Sequence, residues 1–169
     1  MKRIVTVILY LCLLSHLFVF ADTNKVYLKE FQYSIIDPMS TYNELVEKYG
    51  KPDFKEVIDV DETIFPNINI ADGSKLYKYF FRNIGEFGFF FRGYDGFVRL
   101  HYWTLKENYI NTLLIPKTRI ELERLFGEAN EYKNKYGEDI LWYWQDYWNI
   151  YFTFKGEQLI EIECICDVI

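Results

Sequence analysis

The sequence predicts an α+β fold made of two tandem helix-plus-antiparallel-meander repeats, with the helices on one face of the sheet. Three observations predict it. The chain resembles itself: Thr41-Tyr42-Asn43-Glu44-Leu45, closing on Tyr49-Gly50-Lys51-Pro52-Asp53, recurs as Thr118-Arg119-Ile120-Glu121-Leu122, closing on Phe126-Gly127-Glu128-Ala129-Asn130. Aromatic-rich runs bounded by turn residues follow each copy, as strands of a meander do. The composition, 50% hydrophobic and 20% aromatic, is enough to fill a core and far from that of a disordered chain.

The elements follow in chain order. Met1-Lys2-Arg3 is a short basic start, and an apolar run extends from Ile4 to Phe20, interrupted by Thr6, Ser15 and His16. It closes on Val19-Phe20-Ala21, with small or compatible residues at −1 and −3, before the polar Asp22-Thr23-Asn24-Lys25. That order reads as a cleavable secretory signal over residues 1–21. Cleavage leaves 148 of the 169 residues and removes Lys2 and Arg3, so 25 acidic residues face 17 basic ones, a net charge of −8. Residues 22–39 are a lead-in carrying an expected strand at Lys25 to Tyr33.

Residues 40–103 are the first repeat. Thr41 and Glu44 make a capping box, in which hydroxyl and carboxylate satisfy backbone N–H groups that the first turn leaves free. Leu45 and Tyr49 then share a face. Gly50 suits a left-handed helix end, and Pro52 stops the helix from resuming. A loop is expected from Lys55 to Ser74, then strands at Leu76 to Phe81, Phe87 to Arg92 and Phe97 to Trp103, with Asp95-Gly96 turning the last hairpin. Residues 104–117 are a linker. Residues 118–169 are the second repeat: Thr118 and Glu121 form the capping box, Leu122 and Phe126 the apolar face, and Gly127 the helix end. Strands are expected at Ile140 to Trp144, Trp148 to Phe154 and Leu159 to Ile165, with Lys155-Gly156-Glu157 as the turn. Helices of about ten residues are too short to stand alone and must pack on the sheet.

The motif, a short capped helix ending in aromatic-Gly-x-Pro/Ala-Asp/Asn and feeding an antiparallel meander, resembles the β-lactamase-inhibitor-protein-like fold. It is also similar to the small lipoproteins of the outer-membrane assembly machinery, which carry one such unit. The likeness spans Ser40 to Ile165. It implies helices on one face of a sheet and an open face for protein contacts. A helical pair per unit, as in the inhibitor fold, would add a short helix at Pro52 to Val57 and another at Ala129 to Lys135. No lipid-attachment cysteine follows the expected cleavage site, where Asp22 stands.

Strand alternation assigns the faces. Ile150, Phe152 and Phe154 are expected under the helices with Ile160, Ile162 and Cys164. Asn149, Tyr151, Thr153, Glu161 and Glu163 then lie opposite, with Tyr143 joining from the neighbouring strand. In the first repeat, Phe97, Arg99, His101 and Trp103 alternate with Val98, Leu100 and Tyr102. A set mixing charge with large aromatics suits a partner surface, because Tyr, Trp and Arg are enriched at interface hot spots. The candidate binding residues are therefore Arg99, His101, Trp103, Tyr143, Tyr151, Glu161 and Glu163.

The catalytic inventory is thin. His101 is the sole histidine after cleavage, no G-x-S-x-G motif or phosphate-cradling glycine loop occurs, and no catalytic residue is assigned. Cys164 and Cys166 lie too far apart on one side of a strand for an easy bridge. They read as small core residues rather than a disulfide or metal pair, and no metal or cofactor is expected. The acidic run Asp59-Val60-Asp61-Glu62 lacks the glycine and ligand spacing of a calcium loop. The negative surface disfavours nucleic acid and anionic membranes, and no second membrane span follows the signal. The sequence thus predicts an exported, noncatalytic protein-binding module, periplasmic or secreted, whose partner is another envelope or secreted protein. The alternative is a glycan-binding or carbohydrate-active protein using the aromatic and acidic face, with Glu161 and Glu163 near glycosidase carboxylate spacing.

Overall fold

The computed structural model describes residues 30–60, 73–93, 96–145 and 147–166. The expected signal at 1–21, residues 22–29 of the lead-in, Asp61, Glu62 and Asp95 lie outside them. Helix α1 covers residues 30–35, so the part of the expected lead-in strand that is described is helical instead. Helix α2 (Tyr42–Tyr49) precedes strands β1 (Phe54–Asp59), β2 (Lys75–Phe81), β3 (Gly85–Phe91) and β4 (Val98–Lys106). A one-turn helix α3 (Glu107–Ile110) leads to helix α4 (Arg119–Phe126) and strands β5 (Asn130–Lys133), β6 (Asp139–Gln145), β7 (Trp148–Lys155) and β8 (Gln158–Cys166).

All eight strands form one antiparallel sheet in the order β1-β2-β3-β4-β8-β7-β6-β5. The fold is therefore α+β, and each meander has four strands rather than three. The extra strands are β1 and β5, which stand where a loop or a second short helix was expected. Both are edge strands, and an edge strand has no continuous apolar stripe to betray it: every residue of β5 and all but Ile58 of β1 are exposed.

The helix ends follow the sequence closely. Thr41 accepts from the Glu44 amide while the Glu44 carboxylate accepts from the Thr41 amide, and Thr118 and Glu121 repeat this arrangement. Gly50 and Gly127 end the helices at φ 84°, ψ −171° and φ 85°, ψ −169°. That is not the left-handed helical well expected, but a region essentially reserved for glycine.

The main core lies between the helices and one face of the sheet, and a smaller buried cluster of Val60, Leu76 and Phe90 lies on the other face. Leu45 and Leu122 are buried in the main core together with Phe87, Leu100, Trp103, Ile150 and Phe152. The Tyr49 ring stacks on Phe87 at 5.6 Å, and the Phe126 ring stacks on Phe152 at 6.3 Å. Phe31 of α1 fits edge-on against Phe126 at 5.2 Å. Ile110 of α3 is also buried in the main core, so part of the expected linker belongs to it.

Two β-bulges decide which side chains reach that core. In β4, Leu100 pairs with Phe89 and Tyr102 with Gly88, which leaves His101 as the extra residue. A bulge reverses the alternation beyond it. Leu100, Trp103 and Leu105 therefore all face the helices, and Trp103 is 0% exposed. This corrects the expected grouping of Arg99, His101 and Trp103 on one surface. In β8 the extra residue is Ile160, so Leu159 takes its expected place in the core beside Ile162 and Cys164. Tyr143 also belongs to the helix face, against Phe126 and Phe152, and its hydroxyl donates to the Gly127 carbonyl at 3.2 Å. It does not join the opposite surface. Cys164 and Cys166 are buried thiols, and Cys164 Sγ accepts from Gln32 Nε2 at 3.4 Å.

Candidate functional site on the outer sheet face

The face away from the helices, the outer face, is laid out by strand register, because residues directly opposite one another share a face. One row runs from Glu86 to Thr104, Glu163, Tyr151 and Trp142, crossing five strands. The row beside it runs Lys78, Gly88, Tyr102, Ile165. Lys106 lies opposite Glu161 one step further on. A cavity of about 480 Å³ opens here, lined among others by Lys78, Glu86, Tyr102, Thr104, Lys106 and Glu163.

Gly88 makes room for the cavity wall. A Cβ there would lie 2.0 Å from Cε1 of Tyr102. Without it the Tyr102 ring lies across β3, and its hydroxyl donates to the Glu86 carboxylate. Burial, this hydrogen bond and the surrounding carboxylates push the Tyr102 phenol well above its ordinary range. The Lys106 ammonium pairs with Glu161. Glu163 is different: among the described residues its carboxylate makes no hydrogen bond or ion pair. Burial raises its pKa, the Glu161 charge and then Glu86 add to the rise, and Lys106 opposes it.

Beyond Glu163 the outer face becomes aromatic. The Trp142 and Tyr151 rings lie 6.3 Å apart and 11° from parallel, and Trp142 Nε1 donates to Asn149 Oδ1 at 2.8 Å. Trp144, in line with Trp142 along β6, is 61% exposed.

Of the sequence-predicted site residues, Tyr151, Glu161 and Glu163 come together on this face. Arg99 shares the face, opposite Phe90, but does not line the cavity. His101 lines the cavity as the bulged residue and is buried, its ring 6.4 Å from Phe90. Trp103 and Tyr143 are in the core. Sequence reasoning missed Lys78, Glu86, Tyr102, Thr104, Lys106, Trp142 and Trp144. The signal for Lys78 was present, as the one charge inside the expected strand Leu76 to Phe81, whereas Glu86 lay just before the expected start of its strand at Phe87. Tyr102 was hidden by the bulge, and Thr104 and Lys106 by an assigned linker.

Among the described residues no group of three or more His, Cys, Asp and Glu could hold a metal ion, and no helix is long and apolar enough to cross a membrane. No family model matches the chain, and no curated protein matches it. A solved structure is similar in part: a DUF4309 family protein, YjgB, from Bacillus subtilis, at 12% identity and a TM-score of 0.41, covering 75% of this chain and 78% of that one. At that distance the likeness carries no functional argument.

Proposed function

We propose that the chain is an exported, noncatalytic protein-binding module of the cell envelope or extracellular space, and that the outer sheet face is its recognition surface. The observation that carries this is the row Glu86–Thr104–Glu163–Tyr151–Trp142. It places a polar cavity directly beside large aromatic side chains on the face away from the helices, next to a small buried cluster of Val60, Leu76 and Phe90. Interfaces combine such aromatic anchors with a polar surround. Export rests on the signal-like residues 1–21, and no catalytic role is assigned to any residue.

We also infer that the halves α2–β4 and α4–β8 are tandem copies. The two capping boxes, the matching glycine ends and the bulges at His101 and Ile160 in each half's last strand support this. The likeness to the β-lactamase-inhibitor-protein-like fold and to outer-membrane assembly lipoproteins belongs to the same proposal and rests on the two helix motifs.

The test is an affinity capture from envelope and culture-fluid extracts with the intact protein and a Trp144→Ala variant as baits. One stoichiometric protein, captured by the first and lost with the second, is the expected result. Equal capture by both would remove the outer face from the reading. A second reading, glycan binding, is favoured by the nearly parallel Trp142 and Tyr151 rings beside Glu163. A glycan array and hydrolysis assays decide it, and silence in both removes it.

A further inference from the structure

We propose that the outer-face cavity receives a primary ammonium group, of the kind a lysine side chain carries. The proposal rests on the binding role of the outer face and names the chemistry its centre selects. Thr104 is the floor of the site. It is 8% exposed, lines the cavity, and its hydroxyl makes no hydrogen bond to the described residues. It stands between Glu86 and Glu163, one strand spacing (about 4.8 Å) from each.

The acceptors match an ammonium. Such a group has three N–H donors and no acceptor. The Thr104 hydroxyl and the Glu163 carboxylate both make no hydrogen bond to a described residue. Glu86 takes one hydrogen bond from Tyr102 and keeps further acceptor capacity.

The charge balance selects the same ligand. Three carboxylates, Glu86, Glu161 and Glu163, line the cavity with two ammoniums, Lys78 and Lys106. Lys106 is held by Glu161. Lys78 makes no ion pair with a described residue, and it lies in the row beside Glu86, with β3 and β4 between it and β8. A cation placed between Glu86 and Glu163 removes the negative surplus, which an anionic ligand would worsen and a neutral one would leave. A guanidinium is a flat fork suited to one carboxylate from the side. Acceptors on two sides and on the floor suit the compact ammonium better.

The experiment is an amide-detected NMR titration of the intact protein with four probes: Nα-acetyl-lysine methylamide, n-butylamine, Nα-acetyl-norleucine methylamide and Nα-acetyl-arginine methylamide. The lysine derivative is expected to shift the Thr104 and Glu163 amides saturably, and the norleucine derivative to leave them unmoved. Glu163→Gln is expected to weaken the lysine derivative about tenfold, the scale of a hydrogen bond to a charged group. Thr104→Val, close in shape, should weaken it about threefold and serves if the first variant misfolds. Binding of butylamine as tight as the lysine derivative makes a free amine a sufficient source. Binding of the lysine derivative alone makes the source a polypeptide.

Equal shifts by norleucine, tighter binding of Nα-acetyl-arginine methylamide, or wild-type affinity in both variants would overturn the proposal. The protein-binding reading fails separately. Partner capture lost in Trp144→Ala with no lysine binding sinks only the ammonium site. Lysine binding with capture unchanged in Trp144→Ala sinks only the protein-binding reading.

Discussion

The row Tyr79–Phe87–Trp103–Cys164–Ile150–Tyr143 crosses six strands on the helix face, and every member is buried. One residue along the same strands, on the other face, the row reads Glu86–Thr104–Glu163–Tyr151–Trp142. The backbone is shared and the register is shared. What differs is the demand placed on each side chain. On the helix face a residue must fill a fixed volume against α1, α2 and α4, so chemistry there is restricted to apolar groups and a few tyrosines. On the outer face the smaller buried cluster of Val60, Leu76 and Phe90 requires none of the three carboxylates, two lysines and two tryptophans that share that face. Residues that the fold does not require are those free to serve recognition.

The comparison breaks most sharply at tryptophan. Trp103→Ala removes a side chain that is 0% exposed at the centre of the core, and is expected to cost about 3–5 kcal/mol. Trp144→Ala, on the outer face and 61% exposed, should stay within about 0.5 kcal/mol of the parent. Urea unfolding of both variants measures the contrast. Comparable losses would mean that the outer face also holds the fold together.

The two helix caps sharpen the comparison by testing whether the halves contribute alike to the covered face. Thr41→Ala and Thr118→Ala each remove one side of a capping box and are expected to cost about 1 kcal/mol apiece. The Thr41 amide and then its hydroxyl hold the Glu44 carboxyl below its ordinary value of 4.5, and the Lys117 amide, then the Thr118 hydroxyl and amide, do the same for Glu121. Their contribution is full above that unfolded value and is lost as pH falls through the lower folded one. Each variant loses only the hydroxyl's share of that hold while the backbone donors stay, and should show a slightly shallower loss of stability on the acid side. Unequal costs at the two sites would show that one helix is held by its packing alone.

How much of this was legible in the sequence follows from the same physics. Capping boxes and helix-ending glycines are local, so α2 and α4 were readable to their first and last residues. The apolar alternation of β7 placed Ile150, Phe152 and Phe154 correctly. The bulges were not readable, because nothing in Leu100-His101-Tyr102 or Leu159-Ile160-Glu161 distinguishes an extra residue from an ordinary one. That single slip moved Trp103 from a proposed surface into the core and hid Tyr102. Edge strands β1 and β5 lacked a pattern because half of their surroundings are solvent. The pairing of β4 with β8 joins residues some 60 positions apart, and it alone places Thr104 beside Glu163. Of the site, Tyr151, Glu161 and Glu163 were legible one by one, but their neighbours were a property of the sheet.

The smallest expected effect has the opposite sign. Glu163 is a partly buried carboxylate whose pKa is raised, first by burial, then by Glu161. Between the unfolded value of 4.5 and the raised folded value, the native state binds more protons than the unfolded chain. Stability therefore falls as pH rises through that window, and the deficit persists above it. Glu163→Gln removes the charge and should stabilise the protein at pH 7 by under about 1 kcal/mol, a rise of roughly 2–4 °C in Tm at most. The gain should vanish below pH 4.5, where the parent carboxyl is protonated in both states. The groups facing it are Glu86, Glu161, Lys106, Tyr102, His101 and Lys78; of these, Glu161 and Glu86 sustain the rise and Lys106 limits it. Thermal melts of both proteins at pH 4 and pH 7 give the answer. A loss at pH 7 would show that Glu163 serves the fold, whereas a gain paired with weaker amine binding marks a residue held at a cost for what it binds.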